Sequence, residues 1–228
     1  MTLLTSKKMY PEFLSFFGNT VFHETSPLFD SRIAFHTDLY FMKFSEEIII
    51  AAPEMRITIE KNPIFNKYTV IFGSENPSSP YPNDVKYNAF TVGNRLFCNT
   101  KHTDPVILET AKAKNYEIIH INQGYAKCSA IPLSNEAIIT SDTGIFKKAT
   151  ECGIDALLVG NTDVALDGFP NGFIGGTCAV SEKEIFFSGN IDAHRDGEKI
   201  RGFAKKHGKE IRHIPTRPLY DFGSPILL

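Results

Sequence analysis

Four stretches of this chain read in one order: an apolar strand, a tight turn, a second apolar strand and a polar stop. They occupy residues 38–50, 88–98, 129–140 and 177–187. Turn pairs such as Gly93-Asn94 and Ser134-Asn135, set between β-branched and aromatic residues, are hairpin signals. The stretches recur at intervals of about 40 to 50 residues, the range in which repeat architectures occur. That periodicity limits the fold more than any other property of the sequence.

Three of the hairpins lead into a helix and then a buried strand. Thr103-Asp104-Pro105 opens the first helix with a cap and an early proline, and Ile107, Leu108 and Ala111 follow at helical spacing before the strand 116–121. In the next unit Asp142 or Thr143 caps a helix that stops at Gly153, ahead of the strand 155–159. Asp196, Ile200, Phe203, Ala204 and Gly208 repeat the pattern before the strand 210–214. The first unit is less regular: Met55 to Glu60 alternates as a strand would, Pro63 interrupts it, and the strand 68–72 completes the unit. Ser74 to Asp84, rich in proline, serine and asparagine, reads as a long inserted loop.

Four ββαβ units with unassigned residues at both ends predict an α/β fold of pseudo-fivefold symmetry, in one domain spanning residues 1–228. The termini would assemble the fifth unit, with a hairpin from Pro218 to Leu228 and a helix or strand from Phe13 to Phe22. Closing the ring would remove exposed sheet edges, the physical reason to prefer it over an open row of hairpins. An ordinary α+β sandwich is the alternative.

Composition narrows the function. With 42% apolar residues in 228 the chain can bury a substantial core. A net charge of -2 without a long basic block lacks the electrostatic footprint of a nucleic-acid binder, so a small-molecule or protein partner is expected. No apolar run approaches membrane-spanning length, and Met1 to Lys8 lacks the order of a secretory signal. The four cysteines, Cys98, Cys128, Cys152 and Cys178, form no Cys-x-x-Cys pair, so they read as free thiols in a cytoplasmic protein. No metal-ligand spacing is present and no cofactor is expected. The residues assign no oligomeric state.

Two motifs open their units, His36-Thr37-Asp38 and Gln123 through Ser129 with Cys128 near its end. If the repeats surround an axis, both meet there, and a histidine, a carboxylate and a thiol form a set suited to covalent catalysis. Each also has a structural explanation: Cys128 as core packing, His36 and Asp38 as a local pair, and Asp142 as a helix cap. The loops 160–163 and 166–172 lack calcium-loop spacing, and Gly175-Gly176-Thr177 is not followed by the Gly-Lys-Ser/Thr run of a phosphate loop.

Taken together, the repeated ββαβ units and these motifs resemble the pentein α/β propeller superfamily of guanidine-modifying enzymes, the arginine and agmatine deiminases, amidinotransferases and dimethylarginine hydrolase. His36-Thr37-Asp38-Leu39-Tyr40 is similar to the family's His-x-Asp motif leading into a strand. Gly124 through Leu133 is similar to the deiminase stretch Gly-Gly-Pro-Arg-Cys-Met-Ser-Met-Pro-Leu, with cysteine, proline and leucine at the same spacing. Thr140-Ser141-Asp142-Thr143 resembles the family's Phe-Thr-Arg-Asp segment, and Gly175-Gly176 its Glu-Gly-Gly-Asp turn. The chain would start at a different blade, which a ring tolerates.

The resemblance implies a cysteine-dependent hydrolase, deiminase-like, or an amidinotransferase-like enzyme acting on a guanidino compound through a covalent thioether. Cys128 would be the nucleophile and His36 the proton-transfer group, with Asp38 and Asp142 binding the guanidinium. Ile174 stands where the deiminases have the glutamate that orients the histidine, and Thr177 replaces the following aspartate. Such a divergent branch leaves two further readings, a catalytically inactive pentein-fold binding or assembly protein and a metal site on His36 and Asp38.

Overall fold

A computed structural model describes residues 1 to 228. It is a mixed α/β structure of five small sheets, each of three strands. The first complete sheet contains β3 (Phe41–Lys43), β4 (Ile48–Ala51) and β5 (Thr69–Phe72); the second contains β6 (Phe90–Val92), β7 (Arg95–Cys98) and β8 (Glu117–His120). The third holds β9 (Ala130–Ser134), β10 (Ala137–Thr140) and β11 (Asp155–Leu158), and the fourth β12 (Cys178–Val180), β13 (Glu184–Phe187) and β14 (Glu210–Arg212). In each, the first two strands pair antiparallel and the third joins the second in parallel.

The fifth sheet has the same order but spans the two ends of the chain. β15 (Ile226–Leu227) pairs antiparallel with β1 (Thr2–Thr5), which pairs in parallel with β2 (Asn19–Phe22) after the short helix α1 (Pro11–Leu14). The two ends of the chain therefore build a fifth sheet, but Pro218 to Leu228 supplies one strand in place of the expected hairpin, and the central strand comes from residues 2–5, which carry no hairpin signal of their own.

Continuous apolar runs become the middle strands because those strands have a hydrogen-bonded neighbour on each edge and packing on both faces. Leu3-Leu4, Ile48-Ile49-Ile50, Leu96-Phe97, Ile138-Ile139 and Ile185-Phe186-Phe187 are all buried there. Each such side chain contributes about 1.5 to 3 kcal/mol on burial. α3 (Pro105–Ala113), α4 (Thr143–Glu151) and α5 (Gly197–Lys206) bury Ile107, Ile145 and Ile200.

Asp104 and Asp142 cap α3 and α4, accepting from the backbone N–H groups of Val106 at 2.9 Å and Ile145 at 2.8 Å. Asp196 precedes α5 but caps nothing with its side chain. It accepts instead from the Gly160 N–H at 3.0 Å and from Lys199, tying a loop to the helix start. α4 and α5 are followed by Gly153 and Gly208 at positive φ, the left-handed turn that ends a helix.

One expected strand is a helix. Residues 53–55 form a 3-10 turn and Arg56–Glu60 the helix α2, with Met55, Thr58 and Ile59 buried while Ile57 points outward. Spacings of three and four place the buried residues on one helical face, whereas a strand would have buried Met55, Ile57 and Ile59 together. Pro53 supplies the helix-compatible first position. No helix is long and apolar enough to cross a membrane.

Candidate functional site

In every unit the clustered residues lie just before the first strand of the sheet. His36 and Asp38 precede β3, Asn88 precedes β6, Cys128 precedes β9, Gly175 and Gly176 precede β12, and Asp221 and Gly223 precede β15. Backbone hydrogen bonds join several of these lead-in segments. The Asp38 N–H donates to Gly223 O at 2.9 Å, Phe222 N–H to Gly176 O at 2.9 Å, and Gly176 N–H to Cys128 O at 3.1 Å.

Side chains continue the linkage. Asn88 Oδ1 accepts from the backbone N–H groups of Lys127 at 2.7 Å and Cys128 at 3.2 Å, while its Nδ2 donates to Cys128 Sγ at 3.4 Å. One amide thus holds both the backbone of Cys128 and its sulfur. The Cys128 thiol donates to Asp38 Oδ2 at 2.8 Å. His36 Nδ1 lies 3.9 Å from Asp221 Oδ1, and ligand atoms of His36, Cys128 and Asp221 all fall within 4.8 Å of one another.

Asp221 is anchored by the backbone: Oδ1 accepts from the Gly223 N–H at 2.9 Å and Oδ2 from the Phe173 N–H at 2.9 Å. Glycine is required twice around it. A Cβ on Gly176 would overlap the Asp221 carboxylate, and one on Gly223, which has φ +71°, would overlap His36. The paired glycines at 175–176 therefore admit close neighbours, and the carboxylate beside His36 comes from the C-terminal segment while Ile174 is buried in the core.

His36, Asp38, Cys128 and Asp221 are all buried, and burial dominates their protonation. It lowers the His36 imidazole to about 4, with Asp38 acting in the opposite direction. Burial raises Asp221 to about 6 and raises Asp38 as well, with His36 and the Cys128 thiol opposing the latter. Burial, then the charges of Asp38 and Asp221, push the Cys128 thiol well up, while Asn88 pulls the other way. In this closed arrangement both thiol and imidazole are neutral near pH 7. His36 Nε2 and Asp38 Oδ1 are buried without any hydrogen-bond partner, an atom pair that calls for a polar ligand.

His36, Asp38 and Cys128 thus come together. Asp142 stands apart from them: it is the half-buried cap of α4, and its second oxygen accepts from Gln123 Nε2 at 3.2 Å. Asn88 and Asp221 are the participants that sequence reasoning missed. Asn88 had a positional signal as the residue opening its hairpin, and Asp221 had one as a carboxylate two residues before a glycine in an apolar segment. His194 and Asp196 bind the Gly160 backbone as a strut and lie outside this cluster.

Among solved structures, the fold is similar to that of the agmatine deiminase of C. jejuni, with a TM-score of 0.52 and 10% identity over 93% of this chain and 75% of the deiminase. The fold is pentein-like on that basis. No curated protein matches the sequence. A family model does match, over residues 4–226, and the chain belongs to that family, the family of unknown function DUF6873.

Proposed function

We propose that this protein is a single-domain pentein propeller, residues 1–228, that modifies a guanidino compound through a covalent bond to Cys128. Two observations support the propeller arrangement. The lead-in segments are linked from one sheet to the next, and the four hairpin turns, together with Met1, Leu227 and Leu228 of the fifth sheet, line one cavity of about 1260 Å³ at the opposite ends of the strands. That cavity contains none of the chemical cluster.

The observation that carries the functional reading is the thiol of Cys128 held at 2.8 Å from Asp38, with His36 and Asp221 beside it. A guanidinium entering here would place N–H donors on Asp38, including its unpartnered Oδ1, and its cationic charge would favour the thiolate. The thiol proton passes to His36 Nε2, which has no other partner. Sulfur then attacks the guanidinium carbon, a C–N bond breaks, and the imidazolium proton leaves with the departing amine or ammonia. Water deprotonated by the same imidazole adds to the amidino-thioether, the C–S bond breaks, and the thiol is restored. If an amine replaces water, the outcome is amidino transfer. Asp221 would hold the His36 ring and stabilise its charged form, the task that the deiminases give to a glutamate.

A screen of guanidino compounds for ammonia, ureido product and amidino transfer tests this, with Cys128→Ala and His36→Ala as controls. Activity that survives Cys128→Ala would exclude the covalent route. A second reading is favoured by the convergence of His36, Cys128 and Asp221 within 4.8 Å: a divalent cation held by nitrogen, sulfur and oxygen. Stoichiometric metal in the purified protein, lost together with activity on chelation, would support it.

A further inference from the structure

The cavity at the turn ends of the strands, about 1260 Å³, contains none of the residues that surround Cys128. Pockets for small molecules measure about 300 to 1000 Å³, so it has room for an organic ligand. The charges on its walls are out of balance, and one of them is buried.

The buried charge is Lys209, which joins the end of α5 to β14 and is only 9% exposed. Its ammonium donates to the carbonyls of Ser181 at 2.7 Å and Glu182 at 2.6 Å, in the hairpin turn of the fourth sheet, and forms no salt bridge. An ammonium has three N–H donors, so one is left over. Two carbonyls do not neutralise it, and a buried charge without a counter-ion is unfavourable. Burial accordingly pulls this ammonium below its ordinary value, with the charge of Glu182 opposing.

Three more lysines line the same cavity. Lys183 follows Glu182 in the turn, and Lys67 ends the 3-10 stretch Pro63–Lys67; both are exposed and neither forms a salt bridge. Lys43 is paired at 2.7 Å with Glu46, whose side chain is 90% exposed, so water competes for that pair. Among the other titratable groups of the wall, His207 is bound to Asp155 at 2.7 Å and Glu184 to Arg212 at 2.9 Å. Met1 and Leu228 bring one terminal charge of each sign. Lys67, Lys183 and Lys209 therefore share the wall with a single unpaired side-chain carboxylate, the exposed Glu182. Half-buried Tyr68 and Tyr116 stand among them, with Lys67 Nζ 5.1 Å from the Tyr68 ring centre.

We propose that this cavity is a second ligand site, separate from Cys128, which binds a small oligophosphate through Lys209, Lys183 and Lys67. The lysines belong to the first and fourth sheets, so a ligand with one carboxylate would answer one of them and leave the others. A phosphate chain carries several charges along its length. Lysine meets phosphate as a point charge on a flexible stem, which suits ammonium groups held on different turns. Tyr68 and Tyr116 offer rings to the organic part of a nucleotide, so two sources of the same phosphate chain are open, the inorganic ion and its nucleoside ester.

Calorimetry on the full chain tests this with tripolyphosphate, adenosine triphosphate and adenosine, in buffer without divalent cations. Saturable one-to-one binding of the two triphosphates is expected, weakening as salt is raised, with none for adenosine. Lys209→Met should weaken it about tenfold or more, and Lys67→Met and Lys183→Met, both at exposed positions that leave folding intact, about threefold to tenfold each. Lys147→Met, on the outer face of α4, and Cys128→Ala should bind as the wild type does. Tighter binding of the nucleotide than of tripolyphosphate, lost in Tyr68→Ala or Tyr116→Ala, assigns the ring to the tyrosines; equal binding assigns the phosphate chain alone, and either supports the site. No saturation at about 1 mM ligand overturns the proposal. So does binding that survives the lysine substitutions, falls as much in Lys147→Met, or is abolished in Cys128→Ala. None of these readouts depends on turnover of a guanidino compound.

Discussion

The thiol of Cys128 donates to the carboxylate of Asp38 across 2.8 Å, although ninety positions separate the two residues in the chain. Both lie immediately before the first strand of a hairpin, so the repeated unit itself converts distance in sequence into contact. Around that contact, burial governs charge: it favours the neutral thiol and the neutral imidazole.

Asn88 touches Cys128 twice, through its backbone N–H and its sulfur, and holds the Lys127 N–H as well. Asn88→Ala should reduce turnover by about tenfold or more, because sulfur loses its donor and the lead-in segment its acceptor. Stability should fall by about 1 to 3 kcal/mol as buried N–H groups lose their partner. Steady-state kinetics and urea unfolding read the two effects separately. A variant with wild-type turnover would remove Asn88 from the site.

Asp221→Asn keeps the shape but supplies a single acceptor oxygen to two backbone donors, Phe173 and Gly223. A loss of about 1 to 3 kcal/mol in unfolding free energy is expected. If Asp221 also stabilises charged His36, turnover should fall further than stability alone explains, and its pH profile should move. An unchanged pH profile would leave Asp221 with a structural role only.

The glycines divide by location. Gly176→Ala must displace the Asp221 carboxylate, and Gly223→Ala combines positive φ with a collision against His36. Each should cost at least about 1 to 3 kcal/mol. Gly202, within α5, has open space where a Cβ would point, so Gly202→Ala should stabilise by about 0.5 to 1 kcal/mol. Chemical denaturation of the three variants checks the ordering, and a neutral Gly223→Ala would contradict the site geometry.

His23 is buried with Nε2 on Thr37 Oγ1 at 3.2 Å and Nδ1 on Glu24 O at 2.9 Å, and burial lowers its imidazole to about 4 from an ordinary 6.5. The unfolded chain therefore binds a proton before the native protein does. Its contribution to stability is complete above pH 6.5 and is lost as pH falls toward 4. Between pH 7 and pH 5 the loss from this residue is on the order of 2 kcal/mol. His23→Gln should shrink the pH 7-to-5 difference in unfolding free energy by about that amount. An unaltered difference would show that His23 does not titrate on unfolding.

Hairpins, helix caps and central strands follow short-range rules, and they were legible from neighbouring residues. Gly93-Asn94 turns a hairpin, Asp104 caps α3, and Ile138-Ile139 is buried on a central strand for reasons contained within a few positions of each. The stretch at residues 55–60 was misread because a short apolar alternation satisfies helix and strand spacing alike, and packing chose the helical face. The strand at residues 2–5 was invisible because its partners come from the far end of the chain and from residues 19–22.

The site divides in the same way. His36, Asp38 and Cys128 were recognisable because each sits in a motif with local order, whereas Asp142 met its cap and Gln123 without joining them. Only the tertiary structure decided that Asp221 stands beside His36 and that Asn88 holds the sulfur. The sequence by itself determined the repeat and the chemical types that it presents. Which carboxylates face the thiol depends on five lead-in segments meeting in space, and no local pattern encodes a contact between residues that far apart.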